Sequence, residues 1–166
     1  MELDSLRKLY EESLKDLHSA ERQILEAMPR MIKAASNERL KAALEEHRKV
    51  TEQQLERLDG IFEAMGKSGK GKRCKGMEGV LEEGKELLSE DAEPDVLDAA
   101  ILAAAQHVEH YEMAGYGTSA AYARLLGESK AEKLLRQTLE EEKQADLKLS
   151  QLAESQINVE ARQGSN

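Results

Sequence analysis

The stretch Val108–Tyr116, VEHYEMAGY, decides which fold the chain is expected to take. It follows the apolar run Ile101–Ala105, and in a helix residues three or four apart lie on one face. The predicted face consists of Leu102, Ala105, Glu109, Glu112, Tyr116, Ala120 and Ala123. Two carboxylates on an inner face raise each other's pKa and resist burial unless a proton or a cation compensates them. The stretch therefore predicts a buried helix that carries part of a metal site.

The first segment of the chain, from residue 1 to about residue 35, also repeats apolar residues at helical spacing. Glu21 interrupts this stripe, with Leu17 before it and Leu25 after it. Glu21 is either a carboxylate at the solvated edge of the helix or a buried ligand, and this segment alone leaves both alternatives open. Pro29 removes one backbone hydrogen bond, so we expect a kink at that position rather than the end of the helix.

A second helix is predicted from about Glu38 to Met65, and polar residues occupy the middle of its inner stripe. These residues are His47, Thr51 and Gln54, with leucines on both sides. A single histidine in a helical core is more often a hydrogen-bonded structural residue than a ligand. If the first two helices are antiparallel, however, His47 lies at the same height along the bundle as Glu21, which favours a ligand.

Two further long helices are predicted, from about Pro94 to Leu126 and from about Ser129 to at least Leu152. The first of these contains the opening stretch. In the second, Glu142 and Asp146 interrupt a leucine stripe at its middle. The two glutamates that precede Glu142 are expected on the solvated side of the helix.

The segment between the two helix pairs combines a basic loop with a shorter helix. The loop, Gly66–Gly76, holds four glycines and five cations in eleven residues. It is either a flexible linker or a docking site for an anion or a partner, in which its basic residues lower the pKa of the Cys74 thiol. The helix that follows, about Met77–Ser89, is expected to cross the bundle, because two antiparallel helix pairs need a connection.

Composition and charge narrow the class of protein. The 166 residues are enough for one domain, predicted to span residues 1–154, followed by a polar C-terminal tail at 155–166 that is expected to fray. Charged residues make up 34% and the chain holds only two prolines, which favours long helices. A net charge of −9 argues against nucleic acid as the main partner.

The sequence predicts a cytoplasmic protein that does not bind a membrane. Its start lacks the basic and apolar regions of a secretory signal. The longest strongly apolar run is far shorter than the roughly 20 residues of a membrane span. The single cysteine cannot form an internal disulfide, which fits a reducing compartment.

Together these patterns predict an all-α protein, a four-helix bundle with a short extra crossover helix. Each long helix supplies at least one potential ligand near its middle, as in a carboxylate-bridged dimetal site. A ligand set of mostly carboxylate oxygens, with little nitrogen and no thiolate, favours iron or manganese over zinc. The candidate ligands are Glu21, His47, Glu109, Glu112, Glu142 and Asp146.

Four stretches of the chain resemble the YciF/YciE family of bacterial stress proteins. They are DLHSAERQILEAMPRM, RCKGMEGVLEE, DAAILAAAQHVEHYEMAGYGT and LEEEKQADLKLSQLA, and the similarity covers nearly the whole chain. The resemblance implies a ferritin-like helical fold, a homodimer and a dimetal centre. It also implies that four positions already singled out belong to that centre: Glu21, Glu109, Glu112 and Glu142.

The chain departs from the family pattern at one position of the second helix. The family usually reads H-L-x-E-T where this chain reads His47-Arg48-Lys49-Val50-Thr51, so Val50 replaces a glutamate. Glu52 lies about 200° further around the helix and does not substitute for it. Two functions therefore remain open: a dimetal stress protein that carries out oxygen or peroxide chemistry, and a non-enzymatic structural or interaction dimer whose metal site is incomplete. The substrate is not identified by the sequence.

Overall fold

The computed structural model describes residues 4–163, and within that range the chain is helical without strands. The helices are α1 Leu6–Ala34, α2 Glu38–Ala64, α3 Lys75–Leu87, α4 Pro94–Leu125, α5 Ser129–Leu152 and α6 Asn158–Gln163, with a π-helical turn at Ala153–Ile157 between the last two. The all-α prediction is confirmed. Across the described range, no helix combines the length and the apolar character that crossing a membrane requires.

The first helix begins later than the sequence predicted. Residues 1–3 lie outside the described range, and α1 starts at Leu6 because Ser5 caps it. The Ser5 side chain accepts a hydrogen bond from the backbone N–H of Lys8 at 3.3 Å, which satisfies one of the free donors of the first turn.

Helices α1, α2, α4 and α5 form a four-helix bundle, and α3 packs on α1 and α4. The short turns 35–37 and 126–128 make α1–α2 and α4–α5 antiparallel pairs. The stretch from the end of α2 to the start of α4, with α3 in its middle, connects the two pairs. This is the predicted bundle with a crossover helix.

The apolar core consists of two clusters, one towards each end of the bundle. One cluster contains Ile24 of α1, Leu44 of α2 and Leu102 of α4. The other is built around the following buried residues: Tyr10, Leu14, Leu58, Phe62, Tyr116 and Leu135. Each of the four long helices contributes apolar residues to both clusters, and between them it carries buried polar residues. This polar layer consists of Glu21, Thr51, Gln54, Glu109, Glu112, Thr138 and Glu142.

One glycine of α4 allows a close contact between α4 and α1. A Cβ at Gly115 would lie 2.7 Å from a terminal carbon of Leu17, a distance that real Cβ atoms do not adopt. The absence of a side chain therefore lets α4 approach α1 next to the polar layer.

A carboxylate from α4 holds the turn between α1 and α2. Asp98 is 2% exposed, and its two oxygens accept hydrogen bonds from the backbone N–H groups of Ser36 and Asn37, both at 2.7 Å. The Asn37 side chain in turn caps α2 by accepting from the backbone N–H groups of Arg39 and Leu40. Asp98 therefore fixes the start of α2 relative to α4.

We expect Asp98→Ala to lower the free energy of unfolding by about 2–4 kcal/mol, because two backbone donors of a partly buried turn lose a carboxylate acceptor. Urea unfolding at pH 7 measures the change. Asp95→Ala, at an exposed position in the first turn of the same helix, serves as the control, with an expected loss below about 1 kcal/mol. Equal losses in the two variants would contradict the role assigned to Asp98.

The basic loop packs against the bundle, which disfavours the flexible-linker alternative. A Cβ at Gly71 would lie 2.8 Å from the Cβ of Lys15, so this part of the loop touches α1. Lys67 pairs with Glu11 at 2.5 Å and Arg73 with Glu78 at 2.7 Å, which leaves fewer free cations for an anion than the sequence suggests.

The expected activation of the Cys74 thiol is wrong. Cys74 is 1% exposed and caps the start of α3, where its sulfur lies 3.4 Å from the backbone nitrogen of Met77. Its Sγ also lies 3.2 Å from Asp16 and 3.0 Å from the Tyr111 hydroxyl. Burial raises the pKa of the thiol, and the neighbouring Asp16 carboxylate raises it further.

The end of the described chain is helical, where the sequence predicted a fraying tail. Ala153 and Ile157 are buried and pack with the apolar cluster that contains Leu149. The π-helical turn accommodates them by shifting the buried face by one position. Residues 164–166 lie outside the described range, and the domain boundary at residue 154 stays a prediction.

Candidate metal centre

Four of the predicted ligands meet in the polar layer of the bundle. One ligand atom each from His47, Glu109, Glu112 and Glu142 lie within 4.8 Å of one another. Glu112 and Glu142 have no exposed surface, Glu109 is 1% exposed, and the His47 side chain is 10% exposed. Helices α2, α4 and α5 thus direct a nitrogen and three carboxylates to one point, because each residue sits on the inner stripe of its helix.

Glu21 of α1 lies next to this cluster, and it is not at the solvated edge of its helix. It has no exposed surface, and the Tyr116 hydroxyl donates a hydrogen bond to its Oε1. Its Oε2 and both carboxyl oxygens of Glu112 have no hydrogen-bond partner within the described range. The structure therefore decides between the two alternatives that the sequence left open: Glu21 is buried.

Asp146 does not join the cluster. Its side chain is 22% exposed, and its Oδ1 lies 3.1 Å from the Gln106 amide nitrogen and 3.2 Å from His110 Nε2. Asp146 is nevertheless close enough to contribute to the raised pKa of Glu109. It lies one turn beyond Glu142 on α5, towards the outside of the bundle.

The buried carboxyls are poor anions in the absence of a cation. Burial, followed by the charge of Glu142, raises the pKa of Glu21 to about 8. Burial raises the pKa values of Glu109 and Glu112 well above the usual range, again with a contribution from Glu142. Burial lowers the pKa of His47. The metal-free site therefore holds protons on Glu21, Glu109 and Glu112 at neutral pH while the His47 imidazole is neutral.

A chain of polar side chains fixes Glu142 from α2. The Gln54 amide nitrogen donates to Glu142 Oε1 and to Glu141 Oε2. Arg57 holds Glu141 with two hydrogen bonds, at 2.5 and 2.8 Å, and donates to Thr138 Oγ1 at 3.1 Å. The sequence pointed to Gln54 as a buried polar residue but placed Glu141 on the solvated side, and it carried no sign of the partnership with Arg57.

The cluster fits a hard metal ion by its donors and by its charge. His47 Nδ1 lies 3.1 Å from Glu109 Oε1 without the alignment of a hydrogen bond, and both ring nitrogens lack a hydrogen-bond partner. Glu109 Oε2 and Glu142 Oε2 also lack a partner. Buried polar atoms are rarely left unpaired, and a metal ion satisfies them. The three carboxylates of the cluster and the adjacent Glu21 balance the charge of two divalent cations when all four are ionised. The four residues that lie within 4.8 Å of one another could by themselves hold one ion.

A four-helix bundle with a crossover helix and a carboxylate layer across its centre defines a ferritin-like helical protein. Residues 5–162 match the family described as a domain of unknown function, DUF892. The chain belongs to this family. Protein YciF of Escherichia coli K12 is 47% identical over 116 residues, which are 69% of this chain and 70% of YciF.

Solved structures agree with this assignment. The crystal structure of the E. coli stress protein YciF has a TM-score of 0.89 at 42% identity and covers 93% of this chain and 98% of YciF. YcfI of Rhodopseudomonas palustris, described as a candidate structural protein, has a TM-score of 0.87 at 41% identity, with 90% of this chain and 95% of YcfI covered. A protein from Xanthomonas campestris, 18% identical with a TM-score of 0.78, shares the fold. The resemblance seen in the sequence is confirmed.

Proposed function

We propose that the protein binds a carboxylate-bridged pair of iron or manganese ions in its polar layer. The ligands of this proposal are Glu21, His47, Glu109, Glu112 and Glu142, with Asp146 as an outer group that acts on Glu109. The observation that carries the proposal is the convergence of one imidazole and three carboxylates within 4.8 Å in a buried layer. Burying four glutamates without a compensating cation is costly, and a metal pair removes that cost.

The side chains around the site favour a fixed arrangement of the ligands. Tyr116 holds Glu21 and Gln54 holds Glu142, so each carboxylate keeps one oxygen directed at the site. Because its pKa is lowered, His47 presents a neutral nitrogen, which is the form that binds metals. Glu109, Glu112 and Glu21 release their protons when a cation arrives. Once bound, iron or manganese would supply activation of dioxygen or peroxide.

Metal content tests the proposal directly. The protein is purified from cells supplied with iron or with manganese, and its metal content per chain is measured by mass spectrometry of the elements. We expect between one and two ions per chain, and Glu109→Ala combined with Glu112→Ala should remove them. Protein that carries no metal and also fails to take up added Fe²⁺ or Mn²⁺ would contradict the proposal.

The alternative function is a structural or interaction protein with an incomplete metal site. One observation favours it: Val50 lies beside His47 in a cavity next to the site, where the family pattern has a glutamate. The description of YcfI as a candidate structural protein belongs to that relative and gives this alternative some weight. In this case the buried carboxyls stay protonated and the fold serves assembly.

Val50→Glu separates the two functions. In metal-free protein, we expect the added carboxyl to lower the free energy of unfolding by about 1–3 kcal/mol, because it is placed against an apolar wall. With Mn²⁺ present, we expect it to tighten metal binding by about 10-fold or more, since each 1.4 kcal/mol of added ligation is tenfold in affinity. Calorimetric titration and thermal unfolding measure the two effects.

Val50→Gln is the matched control for that variant. Glutamine has nearly the size of glutamate but no charge. We therefore expect Val50→Gln to lower the free energy of unfolding of the metal-free protein as Val50→Glu does, without raising the affinity for Mn²⁺. If the glutamate and glutamine variants respond alike to Mn²⁺, residue 50 is not at the metal site.

The family resemblance also supports a homodimer that takes part in a stress response in the cytoplasm. Light scattering during gel filtration distinguishes a dimer, at twice the 18.5 kDa of one chain, from a monomer. A mass of 18.5 kDa at micromolar concentration would contradict the dimer.

A further inference from the structure

A cavity of about 500 Å³ adjoins the polar layer on the side of His47. Its inner wall is apolar and comes from the four helices of the bundle, with Leu81 of α3. Met28, Leu44, Val50, Val108 and Leu149 are the main contributors. This volume lies within the range of roughly 300–1,000 Å³ that small-molecule sites occupy.

The mouth of the cavity lies between α2 and α5, where its exposed lining residues are found. Glu46 of α2 and Lys148 of α5 form an ion pair of 2.7 Å at this mouth, and Glu140 and Gln144 continue the α5 side. The single lysine of the lining is therefore already paired. The rim as a whole is acidic, as is the chain, with a net charge of −9.

The inner end of the cavity is polar. His47 and Glu109 line it, both are at least nine-tenths buried, and both ring nitrogens of His47 and Oε2 of Glu109 lack a hydrogen-bond partner. Both residues belong to the proposed metal ligands. The cavity thus leads from solvent, along an apolar wall, to the edge of the metal site.

We propose that this cavity binds a neutral, mainly apolar small molecule with a single hydroxyl group, such as a phenol or an aliphatic alcohol. The hydroxyl group lies at the inner end beside His47 and Glu109, and the apolar body lies against the wall formed by Val50, Leu44 and Val108. This assignment deepens the proposed function, because it names the class of molecule that reaches the metal site. The cavity itself is formed by the chain without a metal.

The charges of the lining select a neutral ligand over an anion. In the metal-free protein, a carboxylate ligand would pass the acidic rim at the mouth and lose its hydration at the inner end, where no unpaired cation among the described lining residues compensates its charge. A second polar group on the ligand would face the apolar wall without a partner, which costs free energy. A single hydroxyl group at the inner end meets the unpaired atoms of His47 and Glu109, and the rest of the ligand then lies against the apolar wall.

Val50 contributes to this site directly. A glutamate at this position, as in the family pattern, would place a carboxyl in the apolar wall. Val50 therefore contributes to the apolar character of the wall on α2, the helix that also carries His47.

Binding of 1-naphthol tests the inference. The chain has no tryptophan, so the fluorescence of the naphthol can be read without interference from the protein. We expect saturable binding to metal-free protein, and binding of 1-naphthoate, the matched anion, to the same protein to be at least about tenfold weaker. Displacement of 1-naphthol by 1-octanol is also expected.

Two neighbouring alanines of α2 provide a matched pair of variants. Ala43 lines the cavity, whereas Ala42 is exposed and outside it. We expect Ala43→Phe to weaken 1-naphthol binding at least about tenfold and Ala42→Phe to change it less than about twofold. If Ala43→Phe does not fold, Ala145→Phe fills the cavity from the wall of α5 and should have the same effect.

Several outcomes would overturn the inference. They are the absence of saturable 1-naphthol binding, equal binding of 1-naphthoate, and equal effects of the two α2 variants. If a second copy of the chain covers the mouth, Ala43→Phe changes the dimer and 1-naphthol finds no site, which also overturns it. Failure of metal binding with intact 1-naphthol binding would contradict the proposed function alone, and the reverse result would contradict this inference alone.

Discussion

Adding Mn²⁺ in excess to the metal-free protein at pH 7.5 should raise its midpoint of thermal unfolding by about 10–20 °C. A metal at about 100 times its dissociation constant stabilises the folded state by about 2.7 kcal/mol per site. For a chain of this size each 1 kcal/mol corresponds to roughly 2–4 °C, and two sites together give the stated range. Calorimetry before and after chelation measures the shift, which should be reversible.

Two isosteric variants determine whether the shift comes from the polar layer. Glu112→Gln removes a central carboxylate but keeps its volume, and because Glu112 is protonated in the metal-free protein, the variant should be close to wild type without metal. In the Glu112→Gln variant, Mn²⁺ should raise the midpoint of thermal unfolding much less than in the wild type. Asp146→Asn, outside the cluster, should retain the shift. A shift that survives Glu112→Gln and disappears in Asp146→Asn would place the metal elsewhere.

Metal-free protein should lose stability as the pH rises from about 5.5 to 7.5. The folded pKa of Glu21 is about 8, above its value of 4.5 in an unfolded chain, so in this window the folded state holds a proton that the unfolded state has released. Rising pH then favours unfolding, by about 1.4 kcal/mol per pH unit for each such proton. Glu109 and Glu112 act in the same direction.

His47 opposes this trend below about pH 6.5. Its pKa is lowered in the folded state, so the unfolded chain takes up a proton first and falling pH favours unfolding. One histidine acts against three carboxyls, and the net slope between pH 5.5 and 7.5 stays negative. Urea unfolding of chelator-treated protein at several pH values measures it. Mn²⁺ should abolish the slope, and a flat profile without metal would show that the carboxyls are already ionised.

The sequence predicted the helices and most of the candidate site well. Four of the five long or crossover helices were placed within two residues at both ends, because apolar spacing, Gly66, Gly127 and the cap at Asn37 are local signals. Glu109, Glu112 and Glu142 stood out since each interrupts an apolar stripe. Glu21 could not be assigned from its own helix, because the side chain that holds it, Tyr116, comes from α4.

Other features depend on contacts that no local pattern records. Asp98 holds a turn 61 and 62 residues away in the chain, and Arg57 pairs with Glu141 across 84 residues. Single charged residues of this kind look like ordinary surface positions in the sequence. The cavity beside Val50 is a space between five helices, so it follows only from how those helices are packed. The buried helical end after α5 was missed because its apolar residues are few.

The reaction of the buried Cys74 thiol with a reagent can report local opening of the structure around α3. The thiol is 1% exposed and lies at the start of α3, which also inserts Met77 into the core. A thiol reagent reaches the sulfur only when α3 moves away from α1 and α4, and the chain has no other cysteine to confuse the signal. The rate of labelling under native conditions therefore measures how often the crossover helix undocks, separately from global unfolding.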